Sequence, residues 1–132
     1  MPHLVFEFTA NLEREGDLPG LREKANAILI AQDGVFPIGA IRSRAIRLDH
    51  YRMADGAADY AFVHATLKIG AGRDEATKGR AGDQLFDVMK RHFATLYEKR
   101  YLALSLEIAE FSEAGTWKHN NVHARFKQGP GS

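Results

Sequence analysis

The stretch Tyr60-Ala61-Phe62-Val63-His64-Ala65-Thr66-Leu67-Lys68-Ile69 puts Ala61, Val63, Ala65, Leu67 and Ile69 on one side of an extended chain. Tyr60, Phe62, His64, Thr66 and Lys68 fall on the other, so the period of two predicts a strand, which Gly70-Ala71-Gly72 ends. Downstream, Asp74 is placed to cap a helix whose apolar stripe is Leu85, Val88, Met89, Phe93 and Leu96, running to about Arg100. Leu102, Leu104, Leu106 and Ile108 then alternate with smaller or polar residues in another strand.

The same order stands upstream. Leu4, Phe6 and Phe8 alternate in a strand over 3–9, and Asp17 occupies an N-cap position with Pro19 in the first turn. Leu18, Leu21, Ala25, Ile28 and Leu29 follow at helical spacing to about Ala31. Asp33-Gly34 breaks that helix, Val35-Phe36-Pro37 connects, and Ala40 to Leu48 reads as a strand with Arg42 and Arg44 on one face. The small, polar run 53–59 divides the halves. From strand start to helix start is 15 residues in each, 3 to 18 and 60 to 75.

These two β-α-β pseudo-repeats predict an α/β fold in one domain over 1–127, with a flexible tail at 128–132. Each crossover is long enough to make its strands parallel, giving a four-stranded sheet with two helices on one face. Nothing in the chain covers the other face. Because the third and fourth strands carry apolar or small residues on both sides, that face is expected to be buried by oligomerisation.

Composition narrows the partners. In 132 residues, 18 Lys+Arg against 17 Asp+Glu leave a net charge of +1, which does not support a nucleic-acid partner. The absence of cysteine excludes disulfides, thiolate metal sites and thiol nucleophiles. Met1 to Phe8 lacks the basic region and cleavage site of a secretory signal, and no window reaches the length of a membrane span, so no membrane partner and a cytoplasmic location are expected. Of the six histidines only His119 and His123 lie four apart, and no His-Glu-x-x-His run exists, so no metal is expected.

Two features suit chemistry. Pro2 becomes a secondary amine once an initiator Met is removed, and the strand starting at His3 would fix that amine at a sheet end. Desolvation and nearby cations disfavour an ammonium, making such an amine a general base near neutral pH. Equally, Pro2 could be an inert residue at a strand's first position. The second feature is the set Arg42, Arg44, Arg47, Arg52 and Arg73, whose forked donors suit carboxylates, although a solvated edge strand would look the same. Arg73 adjoins a predicted helix N-terminus, where backbone N–H groups also favour anions.

Met1-Pro2-His3, Phe36-Pro37-Ile38-Gly39-Ala40-Ile41-Arg42-Ser43-Arg44, Met53-Ala54-Asp55-Gly56, Asp59-Tyr60-Ala61-Phe62-Val63-His64, Leu67-Lys68-Ile69-Gly70-Ala71-Gly72-Arg73 and Asn120-Asn121-Val122-His123-Ala124 together carry a resemblance. From Pro2 to about Lys127 the chain resembles the 5-carboxymethyl-2-hydroxymuconate Δ-isomerase family of the tautomerase superfamily. The resemblance implies a homotrimer with sheets facing inward, a cofactor-independent isomerase acting on a small carboxylated dienol, and a role in aromatic-acid degradation. It implies Pro2 as catalytic base and Arg42 and Arg73 as substrate-binding residues. The alternative is a non-catalytic ligand-binding or cytokine-like protein of the same fold, as one branch of the superfamily is.

Overall fold

A computed structural model describes residues 1–127; the tail expected over 128–132 lies outside the described residues. Seven main elements follow in order: β1 (His3–Thr9), α1 (Leu18–Ile30), β2 (Arg42–Leu48), β3 (Tyr60–Gly70), α2 (Glu75–His92), α3 (Ala94–Lys99) and β4 (Tyr101–Phe111). Short 3-10 turns occupy Ala10–Leu12, Ile38–Ala40, Glu113–Gly115 and Val122–Phe126.

Both helix starts form where capping chemistry places them. The Asp17 carboxylate accepts the Gly20 N–H at 3.2 Å, with Pro19 in the first turn, and the Asp74 carboxylate accepts the Thr77 N–H at 2.8 Å. The second helix is shorter than its periodicity predicts. It stops at His92, and Phe93, at φ −97° and ψ 9°, turns the chain before the short α3. No Gly or Pro marks this break. Phe93 is fully buried and Leu96 nearly so, and the turn lets both enter the core while delivering the chain to β4. The second strand likewise begins at Arg42, since Ile38–Ala40 is spent in the 3-10 turn.

The sheet order is β2-β1-β3-β4. The pairs β1–β2 and β3–β4 are parallel, as their crossovers require, and the two halves join through antiparallel β1–β3 pairing in which His3 faces Lys68 and Phe8 faces Val63. The helices pack on one face. There Leu4, Phe6, Leu21, Leu29, Val63, Leu67, Leu85, Met89 and Phe93 form a single core.

The opposite face is open, and it is more polar than expected. In register across it stand Arg44, Val5, Thr66 and Glu107, then Ile46, Glu7, His64 and Ser105. His64 is held by both Ser105 (Nδ1 to Oγ, 2.7 Å) and Glu107 (Nε2 to Oε1, 2.9 Å). Only Phe62, Ala103 and a few neighbours match the apolar expectation, so the surface left by this chain is mixed in character.

Candidate active site

Strand directions decide where chemistry can gather. With β2 parallel and β3 antiparallel to β1, the beginnings of β1 and β2 and the ends of β3 and β4 meet at one end of the sheet. Pro2 sits there, buried, immediately ahead of β1, and its carbonyl accepts the Arg42 N–H at 3.3 Å. Having no N–H, proline leaves no ladder donor unpaired at this first position. Arg42 opens β2 just after the 3-10 turn; its Nε donates weakly to the Ala40 carbonyl at 3.3 Å, leaving the terminal nitrogens without a partner among the described residues.

Arg73 follows the Gly70-Ala71-Gly72 turn, which Gly72 permits by adopting φ 120°. Its Nη1 donates to the Gly70 carbonyl at 3.1 Å and its Nη2 to the Val35 carbonyl at 3.0 Å, and the guanidinium lies 4.9 Å from the Phe36 ring centroid. These contacts fix its charge in place. They also make Arg73 a brace between the two halves.

The segment after β4 returns over this end. Phe111 pairs with Gly70, the Ala71 N–H donates to the Phe111 carbonyl at 3.0 Å, and the Glu113 carboxylate lies so close above Gly70 that a Cβ there would collide with it. Glu113 pairs with Lys118 at 2.8 Å. Further on, Asn120 Nδ2 donates to the Gly39 carbonyl at 2.9 Å, and the His123 backbone lies only 2.8 Å from where a Cβ on Gly39 would stand. Between this segment and the Gly39–Arg42 stretch is a cleft of about 700 Å³, with Met1, Arg42, Trp117 and Lys118 in its walls.

The electrostatics are cationic. The Met1 amine is held below its ordinary 8.0, first by desolvation, then by Lys118 and Arg73 and, more weakly, Arg42; Glu113 opposes them. His3 is likewise pushed below 6.5 by burial and by Arg42 and Arg44. Glu113 is held below 4.5, mainly by its hydrogen bond from Lys118. A neutral amine facing anchored cations can accept a proton while the cations hold carboxylates.

Of the residues proposed from sequence, Pro2, Arg42 and Arg73 come together at this end. Arg44 turns to His3 (3.2 Å to Nδ1) on the open sheet face, Arg47 pairs with Asp49 at 3.0 Å, and Arg52 donates to the Asp55 carbonyl at 3.0 Å. Lys118 and Glu113 were not foreseen. They lie in an irregular segment without periodicity, and only its return over β1 gives them a role. A second cleft of about 720 Å³ lies at the opposite sheet end, but its Arg100 is already paired with Asp59 at 3.0 Å and donates to the Asn11 carbonyl.

Paired β-α-β units around one mixed sheet, with a proline ahead of the first strand, define a protein of the tautomerase fold. Distant solved structures share it: a fused 4-OT symmetric trimer (TM-score 0.62, 14% identity, covering 89% of this chain and 93% of that one) and a macrophage migration inhibitory factor-like protein from Entamoeba histolytica (TM-score 0.60, 15% identity, 89% and 96%). The model of the 5-carboxymethyl-2-hydroxymuconate isomerase family matches residues 2–126, and the chain belongs to that family of isomerases. It is 52% identical over 127 residues to 5-carboxymethyl-2-hydroxymuconate Δ-isomerase of Escherichia coli, covering 96% of this chain and all of the relative. It is also 52% identical to a 5-carboxymethyl-2-hydroxymuconate isomerase from Deinococcus radiodurans R1, whose crystal structure superposes with a TM-score of 0.92 over 96% of this chain and 95% of that one.

Proposed function

We propose that this protein isomerises 5-carboxymethyl-2-hydroxymuconate, with the Pro2 nitrogen as general base after removal of Met1. The 52% identity to the E. coli isomerase over its full length is the observation that carries the reading. In the proposed reaction the neutral amine takes the proton of the 2-hydroxyl, electron density moves along the diene, and the proton returns to a distal carbon. The product is the unsaturated 2-oxo isomer. One proton leaves and one arrives, so the step balances without a redox partner or cofactor.

Arg42 and Arg73 hold substrate carboxylates and stabilise charge accumulating on the 2-oxygen. Desolvation and the cations at this sheet end disfavour a protonated amine, as the lowered Met1 amine next to Pro2 supports. The working unit is a homotrimer: the uncovered sheet face and the trimeric fused 4-OT neighbour support it. Among the described residues no helix is long and apolar enough to cross a membrane.

The test is an ultraviolet assay of the purified chain with the dienol. Loss of the dienol absorbance with appearance of the conjugated ketone is expected. Binding of the dienol without conversion would overturn the isomerase reading in favour of a non-catalytic ligand-binding protein.

A further inference from the structure

The compound in the proposed reaction carries three carboxylates, one at each end of the muconate chain and a third on the carboxymethyl branch. The two arginines account for two. Three cations act on the amine at this sheet end, and the third is Lys118. Resting on the reading above, the geometry points to Lys118 as the residue that binds the branch carboxylate and makes the site prefer a tricarboxylate over the unbranched dicarboxylate.

Placement favours Lys118 over the other basic residues. It lines the same cleft as Met1 and Arg42, whereas Arg44 is turned to His3 outside that cleft. Arg73 already gives two of its donors to backbone carbonyls. The Lys118 ammonium has three donors, and its contact with Glu113 at 2.8 Å uses one, so it can take a further carboxylate without releasing Glu113. Glu113 in turn lies over Gly70, which places the ammonium beside the Gly70–Arg73 turn. Its carboxylate also offsets part of the positive charge that Lys118, Arg73 and Arg42 bring to this end. Lys118 is exposed, its side chain 37% so, and its contact with Glu113 is what orients the ammonium.

The experiment compares turnover of 5-carboxymethyl-2-hydroxymuconate and of 2-hydroxymuconate, which lacks the branch, by the full-length wild type, Lys118→Gln and Lys118→Arg. The readout is the ratio of the two kcat/KM values. Losing a charged hydrogen bond at a partly exposed position should lower that ratio about tenfold in Lys118→Gln, mainly through KM for the tricarboxylate. Lys118→Arg should restore most of it. A ratio unchanged in Lys118→Gln, including equal losses on both dienols, overturns the assignment while leaving the isomerase reading intact. Failure of the wild type to convert either dienol overturns the isomerase reading, and the assignment with it.

Discussion

At the scale of single residues, Arg42 and Arg73 carry the same charge but are bound into the protein differently. Arg73 braces two backbone carbonyls and stacks on Phe36, whereas Arg42 has one weak internal bond. Arg73→Ala should therefore lower both the urea midpoint and turnover, since it strands two carbonyls at about 1 kcal/mol or more each. Arg42→Ala should lower turnover, with a midpoint close to wild type. Equal midpoints for both variants would contradict this division. Acidity follows from the same residues. A base must be neutral to accept a proton, and desolvation, Lys118 and Arg73 lower the Met1 amine next to Pro2. The same surroundings should draw the Pro2 amine down, so kcat/KM should fall as the pH drops through its acidic limb, and Lys118→Gln should move that limb to higher pH; a limb that does not move would contradict the electrostatics. The strand that starts beside Pro2 and the glycine turn before Arg73 were legible in the sequence, but the residues alone left five arginines open, and the family resemblance is what singled out Arg42 and Arg73. Lys118 and Glu113 were not legible, because no local pattern announces that residues after the last strand double back to the first.

Among the elements, the segment after β4 turns an edge of a sheet into a cleft. At Gly39 the His123 backbone of this segment leaves no room for a side chain. A methyl group there must push this segment away at an overpacking cost of roughly 1–3 kcal/mol. Gly39→Ala should thus raise KM for the dienol and increase protease sensitivity over 112–127, while the helix content measured by circular dichroism stays near wild type. Unchanged KM and proteolysis would show that the segment does not form the cleft wall. The helices and strands themselves followed from period and capping. What local pattern could not show was the interruption at Phe93, where helix-forming residues continue on both sides and only the burial of Phe93 and Leu96 sets the turn.

For the whole molecule, the pseudo-repeat foretold two parallel strand pairs but not how they join. The antiparallel β1–β3 contact is long-range, and it is this contact that brings Pro2 beside the Arg73 turn. The bare sheet face was also legible, though its charged rows centred on His64 and Glu107 were not, since apolar alternation says little about the side it leaves polar. If that face is covered by copies of the chain, sedimentation equilibrium at micromolar concentration should give three times 14.7 kDa, and a mass of one chain would contradict the trimer. Everything else depends on the Pro2 nitrogen being a free amine at the end of the folded sheet. The most direct measurement compares dienol turnover by the chain whose intact mass shows Pro2 as its first residue with turnover by one that keeps a glycine ahead of it, where the nitrogen is an amide without basicity. Loss of a general base lowers kcat by about a hundredfold or more, and that loss is predicted; turnover within a few-fold of the unextended chain would contradict the account.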